Sequence, residues 1–259
     1  MEMNLKSFII GYFGTKITIS IEQTPPFIVK YNRCEPLPHE RCSHVHIIIM
    51  DRTDISREYM HQVLEEGKKP ASVFSFCKKA GMSEEDFYRH FSSLEHVRDA
   101  ILSSFVRDTI NRLQEEESYR SYGFREQVLA YFYTFTEGLL AQRSYLLLEF
   151  GNVHEPMQQF KALKQFRSEF MKVAEKLLET GISNGILKEV KFQKRLQQEA
   201  LWMNLIAVFG FWLRDRSPEF EDTDAMIEKS LNLTLNLLEQ NTLDKAIDLG
   251  RFLFGKAVS

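Results

Sequence analysis

The sequence predicts an all-α protein in which a small N-terminal helix-turn-helix domain precedes a larger helical domain. Three observations carry this. Only 12 glycines and 7 prolines punctuate 259 residues, about 7% against roughly 12% in an average chain. From Met50 onward the prolines fall only at boundaries, at Pro70, Pro156 and Pro218. Between them, apolar residues recur at spacings of three and four, the period of a helix face.

Residues 1–49 read differently from the rest. They hold Pro25, Pro26, Pro36 and Pro38, two of the three cysteines and nine isoleucines. Lys16 to Glu22 alternates weakly, as an edge strand does, but no second run offers a partner. We expect this segment to be a mis-called start, with Met50 the true first residue, or a disordered arm. Cys34, His39, Cys42, His44 and His46 are soft ligands of the kind zinc takes, but their spacing fits no metal motif. No metal or cofactor is expected.

The helices follow in order. The first is expected from Asp54 to Glu66, stopped by Gly67 and Pro70. A short one runs from Ser72 to Ala80 and is closed by Gly81. Ser83 begins the next, with Asp86 three residues on as in a capping box, and Ser92 with Glu95 repeats that signal. The fourth helix places Leu94, Val97, Ile101 and Phe105 on one face and ends in the polar run Glu115 to Tyr122. Then come Phe124 to Gln142 and Ser144 to Phe150. A long helix opens at Pro156, carries Phe160, Leu163, Phe170, Val173 and Leu177, and ends at Gly181 and Gly185. Phe192 to Arg214 is apolar on all sides near its centre, so more than one face must be covered. Asp222 to Gln240 and Leu243 to Phe254 complete the set.

Composition excludes several classes. With 33 basic and 36 acidic residues the formal charge is −3, which does not suit a general cationic nucleic-acid coat or a polybasic membrane binder. The longest near-apolar stretch, Ala200 to Leu213, is shorter than the roughly 20 residues a bilayer requires, so no membrane partner is expected. Three cysteines imply no disulfide framework, and a reducing cytoplasm fits. No G-x-S-x-G, H-E-x-x-H or phosphate loop occurs, so no catalytic residues are assigned and an enzyme is not expected.

The informative segment is Ser72 to Phe91, two short helices joined by a tight turn. Its core is A-G-x-S-x-x-x-F-Y-x-H-F, at Ala80, Gly81, Ser83, Phe87, Tyr88, His90 and Phe91. This run resembles the TetR family of transcriptional regulators. Gly181-Ile182-Ser183-Asn184-Gly185 also resembles the glycine-flanked end of that family's seventh helix. The resemblance implies a TetR-like fold divided into a helix-turn-helix domain over 50–97 and a ligand-binding and dimerisation domain over 98–259.

What the resemblance implies for function is a ligand-responsive regulator, a repressor, that binds a palindromic DNA operator as a homodimer. Ser72, Lys78, Ser83, Glu84, Tyr88, Arg89 and His90 then fall at DNA-facing positions, with Tyr88 and His90 on phosphates. Val73, Phe76, Cys77, Phe87 and Phe91 fall in the core. A small apolar or aromatic effector would meet Phe135, Phe150, Phe170, Met203 and Phe209, with Phe132 and Phe166 further candidates. The helices near 192–214 and 222–240 would pair with a second copy. The two reading helices of such a dimer sit one DNA turn apart, roughly 34–36 Å, and a ligand that favours another spacing releases the operator.

Two departures from the family pattern bear on this. Glu84, Glu85 and Asp86 open the reading helix where small or basic residues are usual, and carboxylates repel phosphates. Leu94 stands where a lysine commonly follows the aromatic run. Residues 50–113 carry ten basic and eleven acidic side chains. The alternative is therefore a TetR-fold protein that has left DNA and carries a lipid or isoprenoid-like ligand, as the ubiquinone-biosynthesis lipid-binding proteins do.

Overall fold

The computed structural model describes residues 50–151, 163–187 and 191–239, together with the backbone of four strands before residue 49. Side chains are described from residue 50, except those of 191–193. The chain divides into two compact units, Met1–Arg98 and Asp99–Ser259.

Strands β1 (Lys6–Tyr12), β2 (Thr15–Ile21), β3 (Ile28–Arg33) and β4 (Val45–Ile48) form an antiparallel meander in chain order. The strand expected near Lys16–Glu22 is thus not an unpartnered edge. Phe8 stands opposite Ile19 and Ile10 opposite Ile17 on one side, and Val29 stands opposite Ile21 on the other. The partners carry no alternation clear enough to be read as strands singly. The cysteine and histidine cluster lies outside the described residues, except for His46 in β4.

All other described elements are helical. In the first unit α1 spans Arg52–Glu66, α2 Val73–Ala80 and α3 Glu84–His90, and α4 (Leu94–Glu115) begins there. Helix α1 starts two residues earlier than expected because Asp51 caps it, accepting from the Thr53 and Asp54 amides at 2.7 and 2.8 Å. Asp54 returns the bond to the Asp51 amide, which closes a capping box. The cap of α4 is Ser93, whose hydroxyl accepts from the His96 amide at 3.2 Å, and not Ser92. Two adjacent serines made the register ambiguous. Ile55, Tyr59, Val63, Phe76, Phe87, Phe91 and Val97 form the core of this unit, each at most 2% exposed.

In the second unit a 3-10 turn, Glu117–Ser121, occupies the expected polar run after α4. Helices α5 (Phe124–Leu140), α6 (Arg143–Phe150), α7 (Lys164–Ser183), α8 (Lys191–Trp212) and α9 (Glu221–Glu239) follow. The Pro156 start of the long helix and the Leu243–Phe254 helix lie outside the described residues. Gly181 does not end α7; it lies inside it and is buried. A Cβ there would stand 2.7 Å from Leu187 Cδ1 and 3.1 Å from Phe124, so the glycine admits a close approach of neighbours.

Charged clamps align the helices of this unit. Arg125 of α5 holds Glu239 of α9 through two bonds of 2.8 and 3.0 Å. Lys194 of α8 reaches Glu175 and Glu179 of α7 at 2.7 and 3.3 Å. Between α8 and α9, the Asn204 side chain donates to Thr234 and accepts from Ser230. The start of α7 is capped by the buried Asp99, which accepts from the Gln165 and Phe166 amides at 2.8 Å each. Those amides have no partner inside their own helix.

Candidate nucleic-acid interface

The two short helices have the caps their sequence encodes. Ser72 accepts from the Ser75 amide at 3.1 Å and starts α2. Gly81 ends it at φ 68°, a left-handed conformation that costs an L-residue roughly 1–2 kcal/mol. Ser83 accepts from the Asp86 amide at 3.0 Å and donates to its carboxylate at 2.7 Å. Behind these caps the rings interlock. Phe76 meets Tyr59 and Phe87 at 6.1 and 5.8 Å, and Phe87 meets Phe91 at 6.1 Å. Arg52 lies 4.3 Å above the Phe91 ring and donates to the His90 carbonyl at 2.6 Å.

This packing turns the remaining side chains outward. Ser72, Lys78, Ser83, Glu84, Tyr88 and Arg89 are all exposed, Tyr88 by 53%, and His90 is half-buried. Arg89 is engaged within its own helix, donating to Glu85 at 2.6 Å and to Asp86 at 2.9 Å. Lys79 pairs with Glu66 of α1. Phe74, on the first helix of the pair, is 62% exposed. Cys77 is buried, and burial, with the Glu84 charge second, pushes its thiol up to about 11.

A cleft of about 240 Å³ in the same unit went unread in the sequence. It is lined by Tyr59, Lys69, Ser72, Ser93, Glu95 and Arg98 among others. Its two serines cap α2 and α4, so two helix N-termini meet there with two cations. The Glu95 carboxyl is held below its ordinary range by its own backbone amide first and by the Ser93 hydroxyl, with Arg98 and Lys69 assisting. The signal in the sequence was the Glu95–Arg98 spacing beside Lys68-Lys69, but bringing these together requires the turn at Pro70.

The second unit gathers four of the five expected ligand residues. Phe135 meets Phe166 and Phe209 at 6.4 and 6.3 Å. Phe209 meets Phe150 at 6.0 Å, and Phe170 meets Tyr131 and Trp202 at 5.7 and 5.9 Å. Phe135, Phe150, Phe170 and Phe209 are buried. Met203 is not with them. It is 47% exposed, because Leu201, Trp202, Leu205, Ile206 and Phe209 fill the inward arc of α8 and leave it on the opposite side. The hydroxyl of Tyr131 is buried in the aromatic cluster without a hydrogen-bond partner among the described residues, and burial raises the phenol well above its ordinary range.

Met203 belongs to another surface. With Leu196 and Ala207 it forms an exposed apolar line on α8, and Leu233 and Leu237, 64% and 42% exposed, continue it on α9.

A capped pair of short helices thus precedes a layered helical unit in the chain. Residues 127–253 match the family described as tetracyclin repressor-like, C-terminal domain. The solved structures with this fold include a protein assigned to the TetR-family regulators from Syntrophomonas wolfei, at 17% identity and TM-score 0.50, covering 72% of this chain and 94% of that one. Another assigned to the same family, from Shewanella sp. PV-4, has 15% identity and TM-score 0.51 and covers 73% and 98%. The fatty acid degradation regulator FadR from Bacillus halodurans has 16% identity and TM-score 0.50 and covers 71% and 94%. No curated protein matches the sequence significantly. The match places residues 127–253 with the tetracyclin repressor-like C-terminal domains, and the fold is the one seen in the solved TetR-family structures.

Proposed function

We propose that the protein is a ligand-responsive repressor that binds a palindromic operator as a homodimer in the cytoplasm. The observation that carries this reading is the Ser72–Gly81–Ser83 frame, which holds α3 with Tyr88 outward and seats two helix N-termini beside Lys69 and Arg98. Such a frame can take phosphate oxygens through hydroxyls, amide ends and cations. The apolar line on α8 and α9 supports pairing with a second copy, since four helices can close over it. The effector is a small apolar or aromatic molecule, and the Tyr131 hydroxyl, without a partner among the described residues, is the donor that would meet a polar atom on it.

The Arg89 pairs favour a second reading. A reading helix whose arginine is engaged by Glu85 and Asp86 has little cation left for DNA, as expected of a carrier that has left the operator. Electrophoretic shift with a duplex from the protein's own upstream region, at two salt concentrations, separates the readings. The repressor gives a specific shift that weakens with salt and is lost in Tyr88→Ala and Lys69→Ala. A folded protein that shifts no duplex specifically overturns it in favour of the carrier.

A further inference from the structure

Helix α2 buries one side and leaves the other bare. Phe76 meets Tyr59 of α1 at 6.1 Å, and Phe74, two residues before it, stands about 200° round the helix. Phe74 therefore lies on the side turned away from α1. Lys78, one turn further along that side, is exposed as well. Phe76, Phe87 and Phe91 are at most 1% exposed, whereas Phe74 is 62% exposed.

A single apolar residue on a surface is ordinary, but this one stands on a helix pair whose other cations are engaged. Arg89 is held by Glu85 and Asp86, Lys79 by Glu66, and Arg52 by the Phe91 ring and the His90 carbonyl. Beyond its Ser72 cap, α2 thus presents a bare ring with one cation, Lys78, beside it. In the major groove the base edges carry hydrogen-bonding atoms, and the 5-methyl group of thymine is their apolar feature. A phenyl ring laid on the polar edges covers donors and acceptors that it cannot satisfy. Laid on a thymine methyl, it removes apolar surface from water on both partners.

We propose that Phe74 is a specificity-determining residue that reads the 5-methyl group of a thymine in each half-site, with Lys78 on a neighbouring phosphate. This rests on the repressor proposal and adds to it a base preference that the hydroxyls and cations of the motif do not supply. One buried methyl corresponds to about fourfold in affinity, or about fifteenfold over two symmetric half-sites.

The test replaces thymine by uracil, which pairs identically and lacks only that methyl. The duplex from the protein's own upstream region is made once with thymidine and once with deoxyuridine throughout, and the full chain is titrated on each by electrophoretic shift at one salt concentration. The native chain should bind the uracil duplex at least fivefold more weakly. Phe74→Ser should bind both duplexes alike, with about the affinity of the native chain for the uracil form, and Phe74→Leu should keep part of the difference. Lys78→Ala should weaken both duplexes and leave their ratio unchanged. Melting temperatures of all three variants should match the native one, since both positions are exposed. Equal binding of the two duplexes by the native chain overturns the proposal and leaves the repressor in place. So does a uracil penalty that persists in full in Phe74→Ser, which would assign the methyl contacts to other residues. A folded native chain that shifts neither duplex specifically overturns both.

Discussion

Cys77 lies in the short helix α2, and the structure makes it inert. It is 2% exposed, and burial together with Glu84 pushes its thiol up to about 11. The thiolate is the reactive form. Ellman's reagent at pH 8 should therefore leave Cys77 unmodified in the folded protein and modify it only after denaturant is added, which mass mapping of the labelled peptide checks. Glu84→Gln should lower that thiol's pKa modestly, because it removes the smaller of the two causes. Rapid labelling of the native protein at Cys77 would mean that the core around Phe87 opens on its own.

Among the elements, α3 offers the clearest contest between charges. Its first turn suits Glu84, Glu85 and Asp86 energetically, since carboxylates at a helix start are worth about 0.3–1 kcal/mol each. Two of them, Glu85 and Asp86, also hold Arg89 along the helix. Glu85→Gln with Asp86→Asn should release the guanidinium and raise affinity for any duplex DNA severalfold at low salt, with a steeper salt dependence. An unchanged salt slope in a filter-binding assay would show that Arg89 does not reach phosphates. At α8 and α9, Met203→Glu with Leu233→Glu should give a folded monomer by light scattering, because the exposed line then carries charge into the proposed seam. Retention of a dimer would place the seam elsewhere.

These elements also show what the sequence could and could not reveal. Ser72, Gly81 and Ser83 act on neighbours three or four residues away, so the capped helix pair is legible from the motif alone. Met203 lies apart from the other four expected residues because α8 is apolar all around near its centre, and a helix without a polar face does not say which side is inward. The partners of β2 were missed because pairing depends on register between runs that look unremarkable singly.

At the scale of the second unit, two aspartates respond to pH in opposite senses. Burial pushes the Asp215 carboxyl up, but bonds from Thr223 and Ser217 outweigh it and hold it below its ordinary value. Asp215 therefore contributes stability above the unfolded carboxylate range, and that stability is lost as pH falls through the folded value. Asp224 is raised, so its favourable contribution exists only below its unfolded value and is lost as pH rises through the folded one. At pH 7 Asp215→Asn should lower the melting temperature and Asp224→Asn should raise it, and both differences should shrink toward about pH 3. Equal shifts at both pH values would assign the effects to packing and not to charge.

Asn204 works as a notch between two smooth rods. Leu201, Leu205 and Val208 on α8 and Leu231, Leu235 and Leu238 on α9 would mesh almost as well one turn along, because apolar surfaces interlock without demanding a unique alignment. The amide cannot slide with them, since leaving Thr234 and Ser230 would strand it half-desolvated. Asn204→Leu should then hold or raise the melting temperature while broadening the amide resonances of both helices, trading a single alignment for several.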